Sequence, residues 1–103
     1  MSVDETAQSA EAEEQVLGLA QVYYPVAPGI QLNVRNGPGT SYSVVRVLPL
    51  NARVPINCQI AGTTVSGYYG TTNIWDNIGN GEFVSDAYVK TGSDGYIAPR
   101  CNF

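Results

Sequence analysis

The sequence contains no histidine, and that one absence removes a wide class of chemistry. Without an imidazole there is no Cys-His or Ser-His-Asp nucleophile, and two cysteines cannot complete a structural zinc site. Charge is also scarce, at 14% of residues against about a quarter in ordinary domains. No apolar run reaches the roughly eighteen residues of a spanning helix; "QVLGLAQVYY", residues 15–24, is too short and too polar. Neither a basic stripe nor a cationic patch stands out, so neither nucleic acid nor an anionic membrane surface is an expected partner.

The formal charge of −4 is unevenly placed. Asp4, Glu5, Glu11, Glu13 and Glu14 fall within residues 1–17, which hold no Lys, Arg or aromatic residue. That profile reads as a flexible acidic tail or linker. It lacks the positive n-region and apolar h-region of a signal peptide, so the chain is expected to be intracellular or a mature form whose signal has been removed. Beyond the tail, Arg35, Arg46, Arg53, Lys90 and Arg100 nearly balance Asp76, Glu82, Asp86 and Asp94.

What is present points to strands. With 103 residues, 44% of them hydrophobic, 11 Gly and 7 Tyr, residues 18–103 read as one small all-β domain. Short extended runs are expected at Ala20–Tyr24, Ile30–Arg35, Val44–Leu48, Arg53–Ile60, Asn73–Ile78 and Glu82–Ser85, with a weaker one at Tyr96–Ala98. Turns are expected at "RNGPGTS", "PLNA", "GTTVSGYYGTT", "GNG" and "TGSDG". In Arg53–Ile60 the alternation puts Val54, Ile56, Cys58 and Ile60 on the core side. In "NIWDNIG" it separates Ile74, Asp76 and Ile78 from Trp75 and Asn77, so the single Trp is expected to point away from the main core.

Cys58 and Cys101 are expected to form a disulfide closing a loop of about 44 residues, which stabilises by about 4 kcal/mol in the chain-entropy view. The competing reading is two unrelated buried thiols in a reducing compartment. A bridge would indicate an oxidising one.

"LNVRNGPGTSY", residues 32–42, sends Leu32 and Val34 inward, leaves Asn33 and Arg35 outside, and reverses the chain at Gly37, Pro38 and Gly39. A Val-rich strand follows at Val44–Leu48, then Trp75–Ile78, then "GEFVSDAYV" at Gly81–Val89. This order resembles the bacterial SH3-like domain, with its L-N-V-R-x-G-P motif, W-x-x-I/V strand and terminal G-x-V-S-x-x-Y-V/L. The chain departs from that pattern in the insert "AGTTVSGYYGTTNI", in Phe83 where Trp is frequent, and in the extension ending at Cys101.

The resemblance implies a small SH3-like barrel of five to seven strands and non-catalytic binding in the cell envelope or outside the cell. Peptidoglycan or its peptide bridges are the implied ligands, taken by an aromatic and polar surface of Arg35, Asn36, Tyr42, Tyr69, Trp75 and Tyr88. The alternative is a secreted protein-binding or inhibitor module that uses the Tyr-rich insert. Glycosidase pairing of Glu82 with Asp86, or Asp76 with Glu82, is set aside, since solvated turn carboxylates explain these residues. No cofactor, metal or enzymatic activity is expected, and the chain is expected to be a monomer.

Overall fold

Strict alternation builds the first half of the domain. In a computed structural model, which describes residues 21–102, Leu32 and Val34 are buried while Asn33 is exposed. The expected acidic tail, residues 1–17, lies outside the described residues. Among the described residues seven strands form: β1 (Tyr23–Pro25), β2 (Leu32–Arg35), β3 (Val44–Leu48), β4 (Arg53–Pro55), β5 (Cys58–Gly67), β6 (Gly70–Gly79) and β7 (Glu82–Ser85). A 3-10 turn, Asp86–Tyr88, follows β7, with the Ser85 side chain accepting from Ala87 N as its cap. The protein is all-β, in two antiparallel sheets.

The larger sheet has the order β3-β2-β7-β6-β5, and β1 with β4 makes a separate ribbon. One core serves both, since Val54 of the ribbon packs with Leu32, Val34, Leu48, Ile78 and Val84 of the larger sheet. Val26 and Val89 join it and form a bridge that ties the start of the described chain to the end of the 3-10 turn. No helix among the described residues is long and apolar enough to cross a membrane.

Three expectations about strands are corrected. Arg53–Ile60 is not one strand: the chain leaves the ladder after Pro55 and re-enters at Cys58. That break shifts the period, so Gln59 is fully buried and Cys58 only half-buried, opposite to the expected facing. The run "GTTVSGYYGTT" is not a loop but most of the β5–β6 hairpin, where β-branched Val65 pairs with Thr72 and Ser66 with Thr71 around a Tyr68-Tyr69 tip. Tyr96–Ala98 is not a strand; it is held by a side chain of β5, described below.

The hairpin does not project freely. Between the pairs Ala61↔Ile74 and Val65↔Thr72, residues 62–64 stand against Asn73 alone, and this bulge carries Thr63 over the 37–40 turn. Thr63 N donates to Pro38 O at 3.3 Å, and Thr63 Oγ1 accepts from Thr40 N at 3.2 Å. Gly62 permits the approach: a Cβ there would collide with the Pro38 carbonyl oxygen. Near its other end the hairpin is pinned by Tyr69 N donating to Ala87 O at 2.8 Å. Cys58 and Cys101 are joined by a disulfide with Cα atoms 4.8 Å apart.

Candidate functional site

Paired residues in a ladder share a face. Trp75↔Ser85 and Arg35↔Phe83 therefore put Trp75, Ser85 and Arg35 on the sheet face opposite the main core. The bulged hairpin folds over part of that face, and the uncovered part is a groove of about 310 Å³. Arg35, Trp75, Tyr88, Asn33, Thr40 and Ser85 line it, with Ile30, Leu32 and Val65 supplying apolar walls. The 3-10 turn matters because it swings Tyr88 to the groove while keeping Ala87 under the hairpin.

Three of the six expected ligand residues thus meet: Arg35, Trp75 and Tyr88. Arg35 is fixed by carbonyls, as its Nη1 donates to Thr40 O at 3.2 Å and Tyr42 O at 2.9 Å. Trp75 points off the main core as expected, yet it is only 2% exposed because the hairpin covers it. Its Nε1 donates to Thr63 O at 2.8 Å, so it forms a wall of the groove and a brace for the hairpin. Tyr42 is 46% exposed and lies outside the groove lining, its ring packed on Gly37, where any Cβ would strike it. Asn36 is exposed beside the same turn, with its backbone N–H donating to Ser43 O. Tyr69 lines a different cavity.

That second cavity, about 580 Å³, lies between the hairpin and residues 89–94 and has Asp86, Lys90 and Asp94 in its walls. Behind Asp86 sits a buried polar network. Gln59 Nε2 donates to Asp76 Oδ1 at 2.7 Å, and Gln59 Oε1 accepts from Ile97 N at 2.7 Å and Ala98 N at 3.1 Å. The Gln59 backbone adds bonds to Pro99 O and from Cys101 N, so one residue holds the C-terminal segment along the β5 edge.

Among the described residues Asp76 Oδ2 and Asp86 Oδ1 are buried with no hydrogen-bond donor, an arrangement that two interacting carboxyls satisfy by sharing a proton. Such sharing is the low-cost state for two like charges removed from water. Burial pushes Asp76 up to about 9, helped by the hydrogen bond its proton donates to Asp86 and by the charge of Asp86, and opposed by the Gln59 amide. Burial also raises Asp86, against which its hydrogen bond with Asp76 acts. These two acids are therefore not the solvated turn carboxylates expected. Glu82 is separate: its carboxylate takes a two-pronged bond from Arg46, at 2.8 and 3.0 Å, which holds it below the usual carboxylate range.

Comparison with known proteins gives two relatives of matching length. The chain is 46% identical over 95 residues to "Uncharacterized protein YraI" of Bacillus subtilis (strain 168), covering 82% of this chain and 80% of YraI. It is 46% identical over 94 residues to "Uncharacterized protein YraJ" of the same organism, with the same coverage. The chain belongs to the YraI/YraJ family. No family model matches it.

Within this member of the YraI/YraJ family, the groove and the Gln59–Asp76–Asp86 network lie on opposite sides of adjacent strand positions. Trp75 faces the groove and Asp76 faces the network; Ser85 faces the groove and Asp86 the second cavity. Thr40, Ser85 and Asn33 are groove residues that motif reasoning missed. Asn33 was accessible to it, since the same alternation that buries Leu32 and Val34 places Asn33 beside Arg35 on the outer face.

Proposed function

We propose that this chain is a non-catalytic binding module of the bacterial SH3-like kind, acting in the cell envelope or outside the cell and recognising peptidoglycan or its peptide bridges. The observation that carries the reading is the groove, where Arg35, Trp75 and Tyr88 converge from three separate chain segments. It combines apolar walls with a few fixed polar groups, the usual composition of a small-ligand site. The disulfide supports an oxidising location.

Co-sedimentation with purified bacterial sacculi tests it. The oxidised protein should pellet saturably, and Asn33→Trp, which fills the groove from an exposed position, should weaken pelleting about tenfold while the fold survives. Absence of pelleting by the folded wild type would refute wall binding.

A second reading draws on the hairpin tip. Tyr68 is 59% exposed and stacks edge-on against Tyr69, with ring centroids 4.7 Å apart. A rigid aromatic pair at a loop tip suits a protein partner, and Tyr68→Ser separates the two readings because it leaves the groove untouched.

A further inference from the structure

Among the described residues, the groove is built around one charge with no acid beside it. Among the described residues Arg35 is the one charged side chain in its lining, which includes no Asp or Glu. Its two protein acceptors, Thr40 O and Tyr42 O, are neutral carbonyls, and both bind the same nitrogen, Nη1. Nε and Nη2 have no acceptor among the described residues. Those two donors form one edge of the guanidinium, the edge that takes a carboxylate in a two-pronged bond. The carbonyls also hold the side chain in place, so little rotamer freedom remains to be lost on binding.

The neighbours fit the same kind of ligand. Ser85 Oγ accepts from Ala87 N, which leaves its single hydrogen to donate outward. Ser85 lies diagonally from Arg35 across the β2–β7 ladder, given the pair Arg35↔Phe83. On the other side of Arg35, the pairs Arg35↔Val44 and Asn33↔Val47 place two valines on the groove face, 44% and 50% exposed. They offer apolar support for a small side chain next to the bound anion.

Resting on the groove as the binding surface, we propose that it recognises the free terminal carboxylate of a peptide whose last residues carry small apolar side chains. Arg35 takes the carboxylate, and Ser85 donates to the preceding peptide carbonyl. In wall material this selects the ends of stem peptides over glycan strands and over neutral bridges, all of which lack such a group.

Calorimetric titration of the oxidised wild type with N-acetyl-D-alanyl-D-alanine and with its C-terminal carboxamide tests the inference without altering the protein. The acid should bind about tenfold or more tightly than the amide, and the preference should shrink as salt is raised. Arg35→Gln should bind both forms alike, and Arg35→Lys should keep part of the preference. Because Arg35 also staples the 40–42 turn, folding of both variants is checked from the Trp75 indole N–H resonance. Equal binding of acid and amide by the wild type, or no binding of either at millimolar concentration, would overturn the inference. Equal binding with sacculi still pelleted would leave wall recognition standing. Preference for the acid without pelleting would retain the Arg35 site and remove the wall reading.

Discussion

The two ends of the larger sheet solve opposite problems. At the β2–β3 end, β2 sends Leu32 and Val34 inward and keeps Asn33 outside, β3 leaves Val44, Val45 and Val47 exposed, and Arg35 keeps its charge facing an open groove. At the β5–β6 end, Gln59, Asp76 and Asp86 are buried and spend their polarity on one another and on the C-terminal segment. The first region stores binding capacity at little cost to stability. The second carries a stability burden, since buried polar groups help only while every partner is present. Substitutions should therefore weaken folding mainly at β5–β6 and binding mainly at β2–β3.

The largest expected effect falls on the disulfide. Changing Cys58 and Cys101 together to Ser should cost about 4 kcal/mol in urea unfolding, because the open chain regains loop entropy. A change under about 1 kcal/mol would mean that the hydrogen bonds of Gln59 alone hold the C-terminal segment.

Next is Gln59→Ala, which strips Asp76 Oδ1, Ile97 N and Ala98 N of their partner in one step. A loss of about 3 kcal/mol is expected. Asn33→Ala, at the other end of the sheet, should change stability by less than about 0.5 kcal/mol. Similar losses at both sites would erase the contrast between the two regions.

A pH dependence sharpens the contrast further. An unfolded Asp76 titrates near 3.8, whereas the folded one holds its proton up to about 9. Below pH 3.8 both states are protonated and the contribution to stability is complete. Between those values only the folded state binds the proton, so stability falls as pH rises, and the loss is complete above about 9. Asp86 shifts in the same direction; Lys90 and Asp94 are the other charged groups around its cavity. Asp76→Asn, whose amide can donate to Asp86 and accept from Gln59, should flatten the fall in melting temperature between about pH 5 and 9. Parallel curves for wild type and variant would show that Asp76 does not hold the proton.

The smallest effect is expected at Arg46. Its bond to Glu82 is half-exposed, with side chains 49% and 26% accessible, and Arg46→Ala should cost no more than about 1 kcal/mol.

How much was legible follows the same division. Alternation in Leu32–Arg35 gave the right facing for each residue, and the all-β class and the cysteine pair were readable from composition and spacing. In the region of residues 53–60 the same rule failed, because the break after Pro55 shifts the period by one and sends Gln59 inward. A buried Gln is explicable only once Asp76 stands opposite it, and that register is not visible along the chain. The hairpin was misread because its glycines outweighed the Thr and Val residues that pair across it. Trp75 was placed on the correct face, but its burial depends on the bulge at 62–64 that brings Thr63 over it.

The most direct measurement is a titration of solubilised stem-peptide fragments of peptidoglycan into isotope-labelled, oxidised protein, followed by chemical-shift mapping. Shifts should concentrate on the Arg35 Nε–H and on the amides of Asn33, Thr40, Ser85 and Tyr88. A cluster instead at Lys90–Asp94 or at the Tyr68-Tyr69 tip, or no shifts at all, would contradict the groove as the wall-binding surface.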